Sequence, residues 1–137
     1  MLAFLDAAIF NVIVGNADAH GKNFSLLYRP AGVGLAPLYD LLSTVAYPEL
    51  SPNLAMKMAR RATLEEIGPT TWADFADDVG LPVSFVRRRV RELTDAAGRQ
   101  VPSVADSPAL NALDALALKE LAARIASRAH RLAATAR

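Results

Sequence analysis

A chain of 137 residues, 53% hydrophobic and 21% charged, holds enough apolar material for the core of one domain and is not a disordered composition. A formal net charge of +1 gives no whole-chain attraction to nucleic acid or membrane, and the absence of cysteine removes disulfides, thiolate chemistry and cysteine-ligated zinc. No apolar run reaches membrane-span length, and the greasy start is broken by Asp6 and Asn11 without a basic flank or cleavage site, so no membrane partner and a cytoplasmic location are expected.

Residues 1–14 read as a helix. Leu2, Leu5, Ile9, Val12 and Ile13 recur at spacings of three and four, and Phe4, Ala8 and Phe10 widen the stripe toward burial on most sides. Gly15 and Asn16 stop it, because both tolerate the left-handed conformation that follows a helix end. Residues 16–23 (NADAHGKN) are a polar loop between apolar segments, a frequent site position. The run 24–28 is a predicted strand, 29–32 a turn, and 33–38 a return strand weakened by Pro37. Residues 40–44 lead into an irregular stretch marked by Pro48, Ser51 and Pro52, and 53–61 fits a strand or a short helix. Thr63 and Glu66 have capping-box spacing over 63–68.

The rest is helical. Over 71–79, Trp72, Phe75, Ala76 and Val79 share a face, and Gly80 ends the element. Ser84 caps a second helix over 84–97, with Phe85, Val86, Val90 and Leu93 inward and Gly98 as its stop. Residues 100–107 read as a linker. Ser107 and Pro108 then start a helix over 108–134 with Leu110, Leu113, Ala117, Leu121, Ile125 and Leu132 as its stripe. Asp114 and Glu120 sit early in it and Arg124, Arg128 and Arg131 late, as the helix dipole favours. The expected fold is mainly α with a small β-hairpin after the first helix, in a single domain over 1–137 with a catalytic-loop part at 1–47 and a helical part at 63–137.

The chemistry concentrates between Gly15 and Asp40. Phosphoryl transfer needs an acceptor for the attacking hydroxyl's proton and oxygen ligands for magnesium. Asp18 followed by Asn23, with Asp40 beyond a hairpin, has the order of a kinase catalytic loop and its later metal-binding Asp. The plain alternatives are an Asx turn closed by Asp18 and a short helix at Leu41 capped by Asp40.

The wording GNADAHGKNFSLLY followed by GLAPLYDLLST closely resembles the HipA family of serine/threonine kinases, the toxins of bacterial toxin–antitoxin pairs. The resemblance implies a protein-kinase-like C-lobe with Asp18 as catalytic base and Asn23 and Asp40 holding magnesium. It places His20 and Lys22 beside the phosphates of ATP and Tyr39 against the nucleotide. The helix pair over 71–97 also looks like that family's C-terminal helical region, so the specific motifs lie in 15–44 while the likeness covers most of the chain.

A kinase also needs a Gly-rich phosphate-covering loop and a strand lysine. No Gly-rich loop and no Val-Ala-x-Lys strand occurs in these residues, so the sequence reads as the C-terminal part of a HipA-like kinase, inactive alone, with a split N-lobe polypeptide or truncation as the two explanations. Two further readings belong to other classes. Residues 71–93 fit a helix-turn-helix with Arg87, Arg88, Arg89 and Arg91 as phosphate contacts, although the net charge of +1 weighs against DNA binding. The basic end of the last helix, Arg124, Arg128, Arg131 and Arg137, could meet an acidic partner such as a helix-turn-helix antitoxin.

Overall fold

Helix α1 (Leu2–Val14) is walled in by the remaining helices, and its sequence shows why. Leu5, Ala7, Ile9, Val12 and Ile13 are all buried, so apolar residues occupy most of its circumference. Leu2, placed on the predicted stripe, is instead exposed at the first turn. The helix ends as Gly15 turns left-handed at φ +76°. The Asn16 N–H then returns to the Asn11 carbonyl at 2.9 Å and the Gly15 N–H to Val12 at 3.3 Å, which satisfies carbonyls that the last turn would leave open. The computed structural model describes residues 2–107 and 114–137.

Two small antiparallel hairpins follow. In the first, β1 (Leu26–Arg29) pairs with β2 (Gly32–Leu35), Leu26 opposite Leu35 and Arg29 opposite Gly32. Leu26, Tyr28 and Val33 stay exposed on it. In the second, β3 (Asn53–Met58) pairs with β4 (Arg61–Thr63), so the stretch 53–61, open between strand and short helix in the sequence, is a strand over 53–58 followed by a turn, and a second hairpin is added. Its turn residues Ala59 and Arg60 have φ of +47° and +68°, the signs of a primed two-residue turn made without glycine. The capping box expected over 63–68 is not one. Thr63 lies in β4, and Glu66 accepts from the Ala62 N–H at 2.9 Å, closing a turn instead of starting a helix.

Helix α2 (Pro69–Asp78) buries Thr71, Trp72, Phe75 and Ala76. Gly80, at φ +66°, turns the chain into α3 (Val83–Ala105). This helix does not stop at Gly98: it runs on through Gly98 and Pro102 across most of the predicted linker. A glycine costs about 1 kcal/mol and an interior proline about 3 kcal/mol. Packing of Ala97 and Val101 on the core outweighs them. Helix α4 (Ala115–Thr135) is capped by Asp114, whose carboxylate accepts from the Leu116 and Ala117 N–H groups. The expected start at Pro108, with Leu110 and Leu113, lies outside the described residues. Ala117 is exposed, and the inward face of α4 is carried by Ala122, Ala129 and Leu132.

The core joins Leu5, Ile9 and Ile13 of α1 to Trp72 and Phe75 of α2, Val86 and Val90 of α3 and Leu132 of α4. Polar ties fix their order. Trp72 Nε1 donates to Thr135 Oγ1 at 2.7 Å. Arg89 grips Asp6 with Nε and Nη2 at 2.6 and 2.9 Å, and that hydrogen-bonded carboxylate, with Glu92, holds its guanidinium pKa above the ordinary value. No helix among the described residues is long and apolar enough to cross a membrane.

Candidate active site

The loop after α1 is fixed by buried polar groups on both sides. Thr44, in a short 3-10 turn (Thr44–Ala46), accepts from the Ala17 N–H at 2.8 Å and donates to the Gly15 carbonyl at 3.0 Å. The Ala55 N–H donates to the Ala17 carbonyl at 2.8 Å, which pins β3 to the same loop. Gly15 has to be glycine: a Cβ there would lie 2.5 Å from Val45 Cγ2, and φ is left-handed.

Asp18 stands on this loop with its carboxylate exposed and in contact with no donor among the described residues. It closes no Asx turn; its own N–H donates to Asn16 Oδ1 at 3.1 Å, so Asn16 plays that part. A single 3-10 turn (Gly21–Asn23) carries Lys22 and Asn23. Asn23 Oδ1 accepts from the His20 N–H at 2.9 Å, which directs its amide nitrogen outward to Asp40 Oδ2 at 2.7 Å. Tyr39 reaches back across the hairpin, its hydroxyl bound to the Lys22 carbonyl at 2.5 Å and lying 2.9 Å from Ser25 Oγ. Asp40 caps no helix: it is left-handed at φ +57°, and its side chain faces Asn23.

Asn23, Tyr39, Asp40 and the Lys22 backbone therefore form one cluster. The Lys22 side chain points to solvent, and His20 Nδ1 is buried without a partner among the described residues. Three contributors were missed from sequence: Asn11, Asn16 and Thr44, all buried polar side chains. A polar residue in an otherwise apolar helix, such as Asn11, was the available signal.

A family model described as the HipA-like C-terminal domain matches residues 1–101. The chain belongs to that family. A kinase-named protein of Sinorhizobium fredii, Y4mE, is 48% identical over 129 residues, covering 94% of this chain and 31% of Y4mE. The serine/threonine-protein kinase toxin HipA of Shewanella oneidensis is 36% identical over 102 residues, covering 74% of this chain and 23% of HipA. Among solved structures, the Shewanella oneidensis HipA–HipB–operator DNA complex matches with a TM-score of 0.81 and 30% identity, over 93% of this chain and 30% of the matched one. The chain thus spans about a third or less of the length of these HipA-like relatives.

The two non-kinase features look different in three dimensions. Of the four arginines at the start of α3, Arg89 is held by Asp6, Arg91 donates to the Ala136 carbonyl and the half-buried Arg87 reaches the Pro69 carbonyl at 3.5 Å, which leaves Arg88 exposed, 3.6 Å from Glu92. On α4, Arg128 is not part of a solvated basic end. It is buried, donating to the Val12 carbonyl at 2.7 Å and to Leu64 at 3.3 Å, with Glu65 at 3.8 Å. Burial lowers its pKa, and Glu65 opposes that shift.

Proposed function

We propose that this chain carries the proton-accepting and metal-holding side of a protein serine/threonine kinase site. The observation that carries the reading is the 2.7 Å contact between Asn23 and Asp40, on the loop that also presents a free Asp18 carboxylate. Asp18 accepts the proton of a Ser or Thr hydroxyl while that oxygen bonds to the γ-phosphorus, and the bond to ADP breaks with its electrons leaving on ADP. Mg2+, when bound, neutralises charge on the β- and γ-phosphates. Asn23 and Asp40 are the residues that would hold it. The Asp40 carboxylate and the second lone pair of Asn23 Oδ1, whose first accepts from the His20 N–H, are hard donors, and two protein ligands suit an ion that keeps waters and phosphates as its others. His20 and Lys22 border the phosphates, and Tyr39, tied down by Lys22 and Ser25, flanks the nucleotide.

These residues contain no Gly-rich phosphate cradle and no Val-Ala-x-Lys strand; the lysine on β3, Lys57, stands in Leu-Ala-Met-Lys. We infer that a segment outside them grips ATP and that they do not turn over alone. The greater length of the kinase-named relatives supports this. The matched HipA is seen with HipB and operator DNA, which supports an antitoxin-type partner for this protein, with Arg124, Arg131 and Arg137 as exposed cations of the last helix and its end. Direct DNA binding by α3 is disfavoured by the engagement of Arg89 and Arg91.

Incubation of the purified chain with Mg-ATP labelled on the γ-phosphate tests the inference of inactivity. No transfer above background is expected; strong autophosphorylation that Asp18→Ala removes would overturn it.

A further inference from the structure

A chain of buried amides joins α1 to both halves of the site. Asn11 Nδ2 donates to the Ala7 carbonyl at 2.9 Å within α1. Asn11 Oδ1 accepts from Asn16 Nδ2 at 2.8 Å, and the same Asn16 nitrogen donates to the Asp40 carbonyl at 3.3 Å. Asn16 Oδ1 accepts from the Asp18 N–H at 3.1 Å. The neighbours dictate the orientation of the Asn16 amide: two oxygens face its nitrogen, and one N–H faces its oxygen. Asn11 and Asn16 are 6% and 3% exposed, so water is excluded from the bond between them, while the bonds from Asn16 to Asp18 and Asp40 are part-buried.

We propose that Asn16, braced by Asn11, is a positioning residue that locks the Asp18 loop and the Asp40 segment into one unit. The proposal rests on the phosphoryl-transfer reading of the site for its functional meaning. The side-chain chemistry is specific. Aspartate supplies the acceptor for Asp18 but no donor for Asp40; leucine supplies neither. The left-handed backbone of Asp40 turns its carbonyl toward Asn16, and the hydrogen bond offsets the cost of that conformation. Thr44 ties the same two stretches elsewhere, at Gly15 and Ala17, and so serves as an internal reference.

Amide hydrogen exchange by NMR on the whole chain tests this. In the unmodified protein the Asn16 side-chain NH2 should exchange slowly; fast exchange overturns the proposal. Asn16→Ala should speed exchange about tenfold at the Asp18 N–H, the loss of roughly one hydrogen bond, and shift the 13C resonance of the Asp40 carbonyl that loses its Asn16 donor, with exchange in α2 to α4 unchanged. Asn16→Asp should shift the Asp40 carbonyl resonance in the same way while Asp18 keeps its protection, since the acceptor remains. Uniform acceleration throughout the molecule would mean that Asn16 contributes stability alone, and an Asp40 carbonyl resonance unmoved in both variants would mean that the segments are not coupled through it; either overturns the proposal. Broadening by added Mn2+ reports separately on the metal reading. Its absence at Asn23 and Asp40 would count against that reading, while the exchange pattern would still decide the role of Asn16.

Discussion

Asn23 and Asp40, seventeen positions apart, meet at 2.7 Å across the base of the first hairpin. Neither is buried by the contact: the Asp40 carboxylate stays exposed and the Asn23 amide half-exposed, its nitrogen on Asp40 and its oxygen on the His20 N–H. Asp40→Asn should remove the charge while keeping the fold, because Asn also tolerates φ near +57° and can still accept from Asn23. The expected change in stability is within about 1 kcal/mol. Mn2+ broadening of amide signals around residues 20–24 and 39–41 should be present in the unmodified chain and lost in the variant; equal broadening in both would remove Asp40 from the metal site.

Gly15→Ala should be costly. The left-handed φ adds about 1–2 kcal/mol and overpacking against Val45 about 1–3 kcal/mol. Urea denaturation of the single and double variants separates the two. Val45→Ala in the same chain should recover the steric part only, leaving a net coupling between the sites. Additive losses would show that the close approach to Val45 is not the cause.

Arg128→Met should destabilise by about 2–4 kcal/mol, since the Val12 and Leu64 carbonyls lose a charged donor inside the core. Arg128→Lys tests the same environment by pH. Burial disfavours the charged form, so a lysine there has a folded pKa below its unfolded value of about 10.4. Between those two values the unfolded state binds more protons, so stability should rise with pH through that window and be lowest beneath it. A flat profile up to the unfolded pKa would mean that the site is more hydrated than its geometry implies.

Arg60→Gly should stabilise the second hairpin. Arg60 adopts φ +68° in a turn that favours glycine, and its ion pair to Asp74, at 3.5 Å, is largely exposed. Relief of the backbone strain should raise stability by about 0.5–1 kcal/mol in thermal or urea unfolding. A loss instead would show that the Asp74 contact outweighs the strain.

The helices were legible because their apolar spacing is a property of the local sequence, and Gly15 and Gly80 marked two of their ends correctly. The meeting of Asn23 and Asp40 was legible because both belong to a compact wording between Gly15 and Asp40 that a hairpin folds back on itself. Three features were not. Gly98 and Pro102 are local breakers that helix packing overrides, so α3 passes through both. The second hairpin turns at Ala59 and Arg60, residues that do not advertise a primed turn. Arg128 sits among solvated arginines in the sequence, and its burial is decided by carbonyls of Val12 and Leu64 that come from distant parts of the chain.

The most direct test of the phosphoryl-transfer assignment transplants the site. Residues 2–107 would replace the matching stretch of Shewanella oneidensis HipA, and the folded chimaera would be assayed for transfer of γ-phosphate from Mg-ATP to Ser or Thr. Transfer is expected, with Asp18→Ala or Asp40→Ala each reducing it by about a hundredfold or more. A folded chimaera that transfers nothing, or one whose activity survives both substitutions, would contradict it.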